Sequence, residues 1–359
     1  MKRIFLYAYD RQNLGDDLFV HTIANRYPNA RIYMWSSAEN KNTFQSLKNL
    51  KVIDRDSRFV RFLNKIRPSL VARYKAWYEK RCDAVVYIGG SIFMEYPNWE
   101  QLCTWWDWTS ENRPFYVLGA NFGPYHTEAY RERMAGIFSK MQDICFRDHY
   151  SYDLFNGIDT VRCAPDILFS YSMTAVSVRD NSIFVSVIDC AGRDEAHSLS
   201  QYDENYVTNM SSLLNKYLSD GYSVTLSSFC KEEGDENGSS KIIEKLDKSY
   251  DQNVRIINYN GTNHEEVVKA IASSQLVVAT RFHATILALA AGRPVLPIIY
   301  SDKTKNVLND LGFNGHTFDL RNDENWLYDK ENTYTLSEQI KKDAEKHFSK
   351  LDTKLYKRR

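Results

Sequence analysis

With 359 residues the chain is long enough for two domains of ordinary size. Its 46 basic and 46 acidic side chains cancel, which argues against a nucleic-acid partner, and no window approaches the roughly 18 apolar residues of a membrane span. Six cysteines show no CxxC spacing, and the histidines form no HExxH or paired His/Cys cluster. The thiols therefore read as reduced packing residues of a cytoplasmic protein, and the chemistry as metal-free.

The opening MKRIFLYAYDRQNLGDD holds only a short apolar run before turns and charges, so it reads as a first buried strand and not a signal peptide. Strands are expected at Lys2–Ala8, Arg31–Trp35, Ala84–Ile88, Phe115–Gly119 and Ile144–Phe146. Helices are expected between them at Asp16–Ala24, Arg58–Lys80 with a break at Pro68, Glu128–Lys140 and Tyr150–Asn156. The polar stretch Ser170–Asn181 separates this series from a second one. Its strands are Ser182–Ile188, Ser223–Ser228, Val254–Ile257, Leu276–Ala279 and Val295–Ile299. Its helices are Asn205–Ser219, Gly238–Tyr250, Glu265–Ala272, Ala284–Ala291 and Lys303–Leu311. Such alternation predicts an α/β protein with parallel, doubly wound sheets. Two series predict two Rossmann-like domains, 1–175 and 176–330, facing a central cleft. Leu336–Leu355 reads as a charged helix; by analogy with two-domain folds, residues 331–359, with their basic tail, are expected to pack back on the first domain.

The loops at strand ends carry unusual residues. In Asn13-Leu14-Gly15-Asp16-Asp17, Gly15 permits a tight turn and either aspartate suits a helix cap. Two adjacent carboxylates equally suit sugar hydroxyls or a general base. Gly89-Gly90-Ser91 and Gly119-Ala120-Asn121-Phe122-Gly123-Pro124-Tyr125 let backbone approach a ligand, or satisfy sterics alone. Arg147 follows a strand, where it suits an anion or a structural pair with Asp148 or another carboxylate. Arg281 and His283 follow Leu276–Ala279 at the entrance of an Ala-rich helix, with Lys303 at the end of the next strand. Cations at strand ends beside helix N-termini suit an anionic ligand. Taken alone, His283 fits a structural histidine better than a catalyst.

Read in order, these loops resemble the polysaccharide pyruvyl transferase family. The resemblance runs through Asn13-Leu14-Gly15-Asp16-Asp17, Ile88-Gly89-Gly90-Ser91, Gly119 to Pro124, Phe146-Arg147-Asp148 and Ala164-Pro165-Asp166. It continues through Thr280-Arg281-Phe282-His283, Ala291-Gly292-Arg293-Pro294 and Asp302-Lys303-Thr304-Lys305, covering about residues 1 to 315. Two departures fall on the acceptor side: the family often has Glu where Asp17 stands, and GQxxGP where this chain has Gly119 to Pro124. The resemblance implies a GT-B-like fold and transfer of a pyruvyl group from phosphoenolpyruvate to two hydroxyls of a sugar, with no cofactor. It implies donor binding by Arg147, Arg281, His283 and Lys303. Ketal formation needs an acid and a base: His283 is the candidate acid, Asp16 or Asp17 the weaker candidate base, and Arg281 is placed with them in the catalytic set. Asn13, Asp16, Asp17, Gly90, Ser91, Asn121 and Tyr125 are the expected acceptor side. The competing readings are an inverting GT-B glycosyltransferase using a nucleotide sugar, and a non-catalytic carbohydrate-binding protein.

From Arg58 to Arg81 there are eight Lys/Arg and one Glu, interleaved with Phe59, Phe62, Tyr74, Trp77 and Tyr78. This is either a solvated basic face with its aromatics in the core, or a helix pair touching an anionic membrane. The second reading fits a lipid-linked oligosaccharide acceptor met at the inner face of the membrane. The Trp-rich run Cys103–Trp108 is either core or a platform for sugar rings.

Overall fold

The computed structural model describes residues 1–192, 199–326 and 334–356; the basic tail at 357–359 lies outside them. The first series of strands is β1 (Arg3–Tyr7), β2 (Arg31–Ser36), β3 (Leu50–Asp54), β4 (Ala84–Ile88), β5 (Phe115–Ala120), β6 (Asp143–Phe146) and β7 (Val161–Cys163). The second is β8 (Arg179–Ser186), β9 (Ser223–Ser227), β10 (Val254–Ile256), β11 (Ser274–Ala279), β12 (Val295–Ile299) and β13 (Phe318–Asp319). Among the described residues they form two sheets, ordered β3-β2-β1-β4-β5-β6-β7 and β10-β9-β8-β11-β12-β13. Every pairing described between these strands is parallel. Both orders are doubly wound: each sheet reverses direction once, between β1 and β4 and between β8 and β11, where α/β sheets open a ligand crevice at their carboxyl ends.

The chain divides into two compact units. The first comprises Met1–Asp10, Asp16–Ser170 and Gln339–Arg359; the second comprises Arg11–Gly15 and Tyr171–Glu338. The central strands are buried on both faces, as continuous apolar runs such as Ala84–Ile88 and Val295–Ile299 require. The first core is aromatic: Phe93, Trp106, Phe115, Phe138, Phe146 and Phe155 pack together. Helix Trp99–Asn112 resolves the Trp-rich run, with Cys103 and Trp106 in the core and Trp108 43% exposed. The second core is mainly aliphatic, with Tyr206, Tyr300, Phe318 and Trp326 as its buried aromatics.

The C-terminal segment closes the first unit through polar contacts as well as burial. Helices Glu338–Ala344 and Ser349–Tyr356 flank a 3-10 turn at Glu345–Phe348. Arg26 grips Asp352 through two bonds of 3.1 and 2.6 Å, and Tyr27 donates to the same carboxylate at 2.8 Å. His347 is fully buried, and its Nε2 lies 3.1 Å from the Ala164 carbonyl and 2.9 Å from that of Pro165. Because both partners are acceptors, that nitrogen carries the proton. No described helix is long and apolar enough to cross a membrane.

Candidate active site

In the first unit, the ends of the neighbouring strands β4, β5 and β6 gather Gly90, Ser91, Asn121 and Arg147. Arg147 is buried, and its guanidinium donates to Asn121 Oδ1 at 2.6 Å and to Asp166 Oδ2 at 3.2 Å. The carboxylate partner is therefore Asp166, whereas Asp148 accepts from the Ser151 N–H at 2.8 Å and caps helix His149–Asp153. A Cβ on Gly90 would lie 2.6 to 2.7 Å from three guanidinium atoms, so only glycine leaves room for Arg147 there. Asn121 ties the loops together: its N–H donates to the Gly90 carbonyl at 2.8 Å, and its Oδ1 also accepts from Ser91 at 3.2 Å. Tyr125 is half-buried with its ring 5.1 Å from that of Phe122. Complete burial pushes the Asp166 carboxyl up, against the pull of Arg147 and the Leu168 N–H.

The two aspartates after β1 differ sharply. Asp17 is fully buried and Asp16 half-buried, both in the first turn of helix Leu14–Arg26, where negative charge complements the helix dipole. Neither is needed as the cap, because Asn13 Oδ1 accepts the Gly15 N–H at 3.1 Å. Burial pushes the Tyr87 phenol up, and the charges of Asp16 and Asp10 push it further.

In the second unit, Arg281 is the N-cap position of helix Phe282–Ala290, and its side chain is held by two acids. Its Nε donates to Asp235 Oδ2 at 2.8 Å, a second nitrogen pairs with Asp235 Oδ1, and a third reaches Glu233 at 2.6 Å. Burial works against the guanidinium charge, but Asp235 and Glu233 outweigh it and hold the side chain protonated. Asp235 also accepts the N–H groups of Phe229 and Cys230 at 2.9 and 3.0 Å. The bidentate pair thus fixes the loop after β9 to the loop after β11.

His283 stands one residue into that helix, and Gly15 lies directly against its ring. A Cβ on Gly15 would fall 1.7 Å from His283 Nδ1. The segment carrying Gly15 is itself held in this unit, by the Leu14 N–H to the Phe229 carbonyl at 3.1 Å and an antiparallel bridge from Asn13 to Cys230. After the adjacent strand β12, Tyr300 and Ser301 lead into helix Asp302–Asp310, whose second residue is Lys303. Lys303 Nζ lies 5.9 Å from the Tyr300 ring centroid, and the charge of Arg281 feels Tyr300. Thr304, 2% exposed, has no partner for its hydroxyl among the described residues, nor has the buried Ser301 hydroxyl. Two helix N-termini, two basic side chains, an imidazole and two buried hydroxyls therefore share one end of the second sheet. Such a set can hold an oxyanion.

Sequence reasoning did not find Asp235, Glu233 or the role of Asp166. Asp166 stood in a quoted motif, and the acidic loop Lys231-Glu232-Glu233-Gly234-Asp235 after a strand was the available signal for the others.

Two doubly wound parallel-sheet units in one chain make a GT-B-like fold. Similar folds occur in UDP-GlcNAc 2-epimerase from Neisseria meningitidis, at 13% identity and a TM-score of 0.54 over 87% of this chain and 91% of that one. Anabaena HepE, solved with UDP and glucose, gives 14% identity and a TM-score of 0.53 over 88% and 85%. More narrowly, the chain belongs to the polysaccharide pyruvyl transferase family, whose model matches residues 13–302. It is also similar to the amylovoran biosynthesis protein AmsJ of Erwinia amylovora, at 23% identity over 257 residues. That match covers 65% of this chain and 60% of the relative, so the chain spans about three fifths of that relative's length.

Proposed function

We propose that the protein is an enzyme that transfers a pyruvyl group from phosphoenolpyruvate to two hydroxyls of one sugar, on a polysaccharide or lipid-linked oligosaccharide precursor. Family membership supports the pyruvyl group and the polysaccharide. The observation that carries the donor is the cationic, hydroxyl-lined end of the second sheet, with Arg281, His283 and Lys303 on adjoining loops. Phosphoenolpyruvate has a phosphate and a carboxylate, and helix N-termini with Lys and Arg suit both. In this reading Arg281 acts mainly by fixing the loop, because its guanidinium already serves Asp235 and Glu233. Lys303, in the first turn of its helix, meets the phosphate. Arg147, in the first unit, is a further donor ligand in this proposal.

The reaction balances as follows. C3 of the enol gains a proton, C2 takes on oxocarbenium character, and a first sugar hydroxyl adds to C2. The C2–O bond to phosphate breaks and a second hydroxyl closes the ketal. Of the two hydroxyl protons released, one replaces the proton given to C3 and the other leaves on hydrogen phosphate. His283 is the proposed acid toward C3, since histidine titrates close to neutral pH. Asp16 or Asp17 is the proposed base, and Asp16 is the better placed because Asp17 is sealed from solvent. Acid–base chemistry of this kind requires no cofactor.

The test is to incubate the protein with phosphoenolpyruvate and a panel of glycosides and lipid-linked oligosaccharides, following phosphate and acceptor mass. Phosphate release that depends on the acceptor, with a mass gain of one pyruvate less one water, is expected. Turnover of a nucleotide sugar in place of phosphoenolpyruvate would assign the site to glycosyl transfer instead.

A further inference from the structure

The sequence leaves two readings of Arg58–Arg81, and side-chain positions discriminate between them. Pro68 does divide the segment into two helices, Arg58–Ile66 and Pro68–Lys80. The second is anchored in the first unit. Its Tyr74 ring lies 6.3 Å from Trp35, its Tyr78 ring 5.4 Å from Tyr33, and the buried Glu79 accepts from the Tyr7 hydroxyl. Lys75 also turns inward, with Nζ 5.2 Å from the Tyr7 ring centroid. The lone acid of the segment is therefore removed from the surface.

The first helix is an outer layer. Only Val60 is buried, and Leu63 is half-buried. At 100° per residue, Phe62, Ile66 and Phe59 share one face and Arg61, Lys65 and Arg58 the face beside it. Phe59 is 53% exposed, Phe62 59% and Ile66 59%, so the apolar stripe is largely open to solvent, although the Phe59 ring also lies 5.3 Å from that of Tyr74. The three cations beside it are exposed too, with Arg67 following at the turn. The nearest acids in sequence, Asp54 and Asp56, are paired with Lys41 at 3.0 Å and Arg55 at 3.7 Å. A chain of zero net charge thus presents, on a helix that itself contains no acid, a basic band along an exposed aromatic ridge.

We propose that helix Arg58–Ile66 docks the protein on an anionic lipid bilayer, with Phe59, Phe62 and Ile66 entering the interface and Arg58, Arg61 and Lys65 meeting headgroup phosphates. Interfacial helices combine these two features, apolar area for insertion and cations for attraction. The basic band selects a negatively charged lipid surface over a second copy of this electrically neutral chain. The inference stands apart from the identity of the donor, because it uses none of the residues assigned to it.

Sedimentation of the full-length protein with vesicles tests it. Mixed phosphatidylcholine–phosphatidylglycerol vesicles should carry the protein down, pure phosphatidylcholine vesicles should not, and added salt should release it. Both Phe62→Ser/Ile66→Ser and Arg58→Gln/Arg61→Gln/Lys65→Gln should weaken binding by at least about tenfold. These side chains are exposed, so the variants should keep the wild-type melting transition. Wild-type binding retained by either variant, or no binding by the wild type, would overturn the proposal. A wild-type dimer in analytical ultracentrifugation that Phe62→Ser/Ile66→Ser dissociates would also overturn it, assigning the ridge to self-association.

Discussion

Gly15 shows how a single missing methyl group can organise a site. From sequence it reads as the glycine of a tight turn, yet its backbone is not left-handed. The requirement comes instead from His283, whose ring occupies the space a Cβ would fill. Gly15→Ala should therefore push the imidazole away while leaving the helix intact, with a rate loss on the order of 10²-fold for a catalytic group displaced by about an ångström. His283→Gln should leave phosphoenolpyruvate binding in place but lower kcat by about 10²–10⁴-fold, as for a lost general acid. Steady-state kinetics paired with donor titration calorimetry checks both; near-normal kcat in His283→Gln would move the proton source elsewhere. The cations at strand ends were legible because charge after a buried strand is conspicuous. Their partners were not, since Asp235 lies 46 positions from Arg281 and nothing in the intervening sequence links them.

At the scale of elements, legibility tracked burial. Fully apolar strands such as Ala84–Ile88 and Val295–Ile299 were read to the residue. The edge strands β7 and β13, three and two residues long, carry too few positions for a pattern, and β3 is mostly half-exposed. Helix Trp99–Asn112 was read only as a Trp-rich run because its aromatics mask the helical period. The C-terminal segment supplies the pH-sensitive element. Burial, followed by the charge of Arg162, holds the His347 imidazole down from its ordinary 6.5 to about 3. The folded state keeps it neutral, whereas the unfolded chain takes up a proton below about 6.5, so acid favours unfolding. The stabilisation is complete above that pH and is lost as pH falls toward 3, at up to about 1.4 kcal/mol per pH unit. His347→Gln, which still offers N–H donors to the Ala164 and Pro165 carbonyls, should show a shallower loss of stability between pH 6.5 and 4.5 in urea titrations than the wild type. Identical slopes would show that other groups govern the acid response.

At the scale of the molecule, strand–helix alternation was enough to give two parallel α/β sheets, because a doubly wound sheet writes its topology into the order of its elements. Which segments complete which unit was less legible, since that depends on contacts between distant positions. Arg11–Gly15 belongs with the second unit by its hydrogen bonds to Phe229 and Cys230. Gln339–Tyr356 belongs with the first, through Asp352 and His347. A fragment ending at Ser170 lacks both of those residues, so it should unfold less cooperatively than the first unit does in the whole protein. Adding a peptide spanning 339–356 should restore protection from proteolysis; full protection without the peptide would show the segment to be dispensable.

That arrangement bears on how the protein is made. The ribosome delivers residues 1–170 long before residue 339, at roughly 5–20 residues per second. For several seconds the nascent first unit is without the partners of Arg26, Tyr27 and the Ala164–Pro165 carbonyls. The second unit, whose residues end at Glu338, is by then fully translated. The closing step of the first unit is therefore a late docking of its C-terminal segment, which a premature stop codon or a C-terminal fusion should disturb.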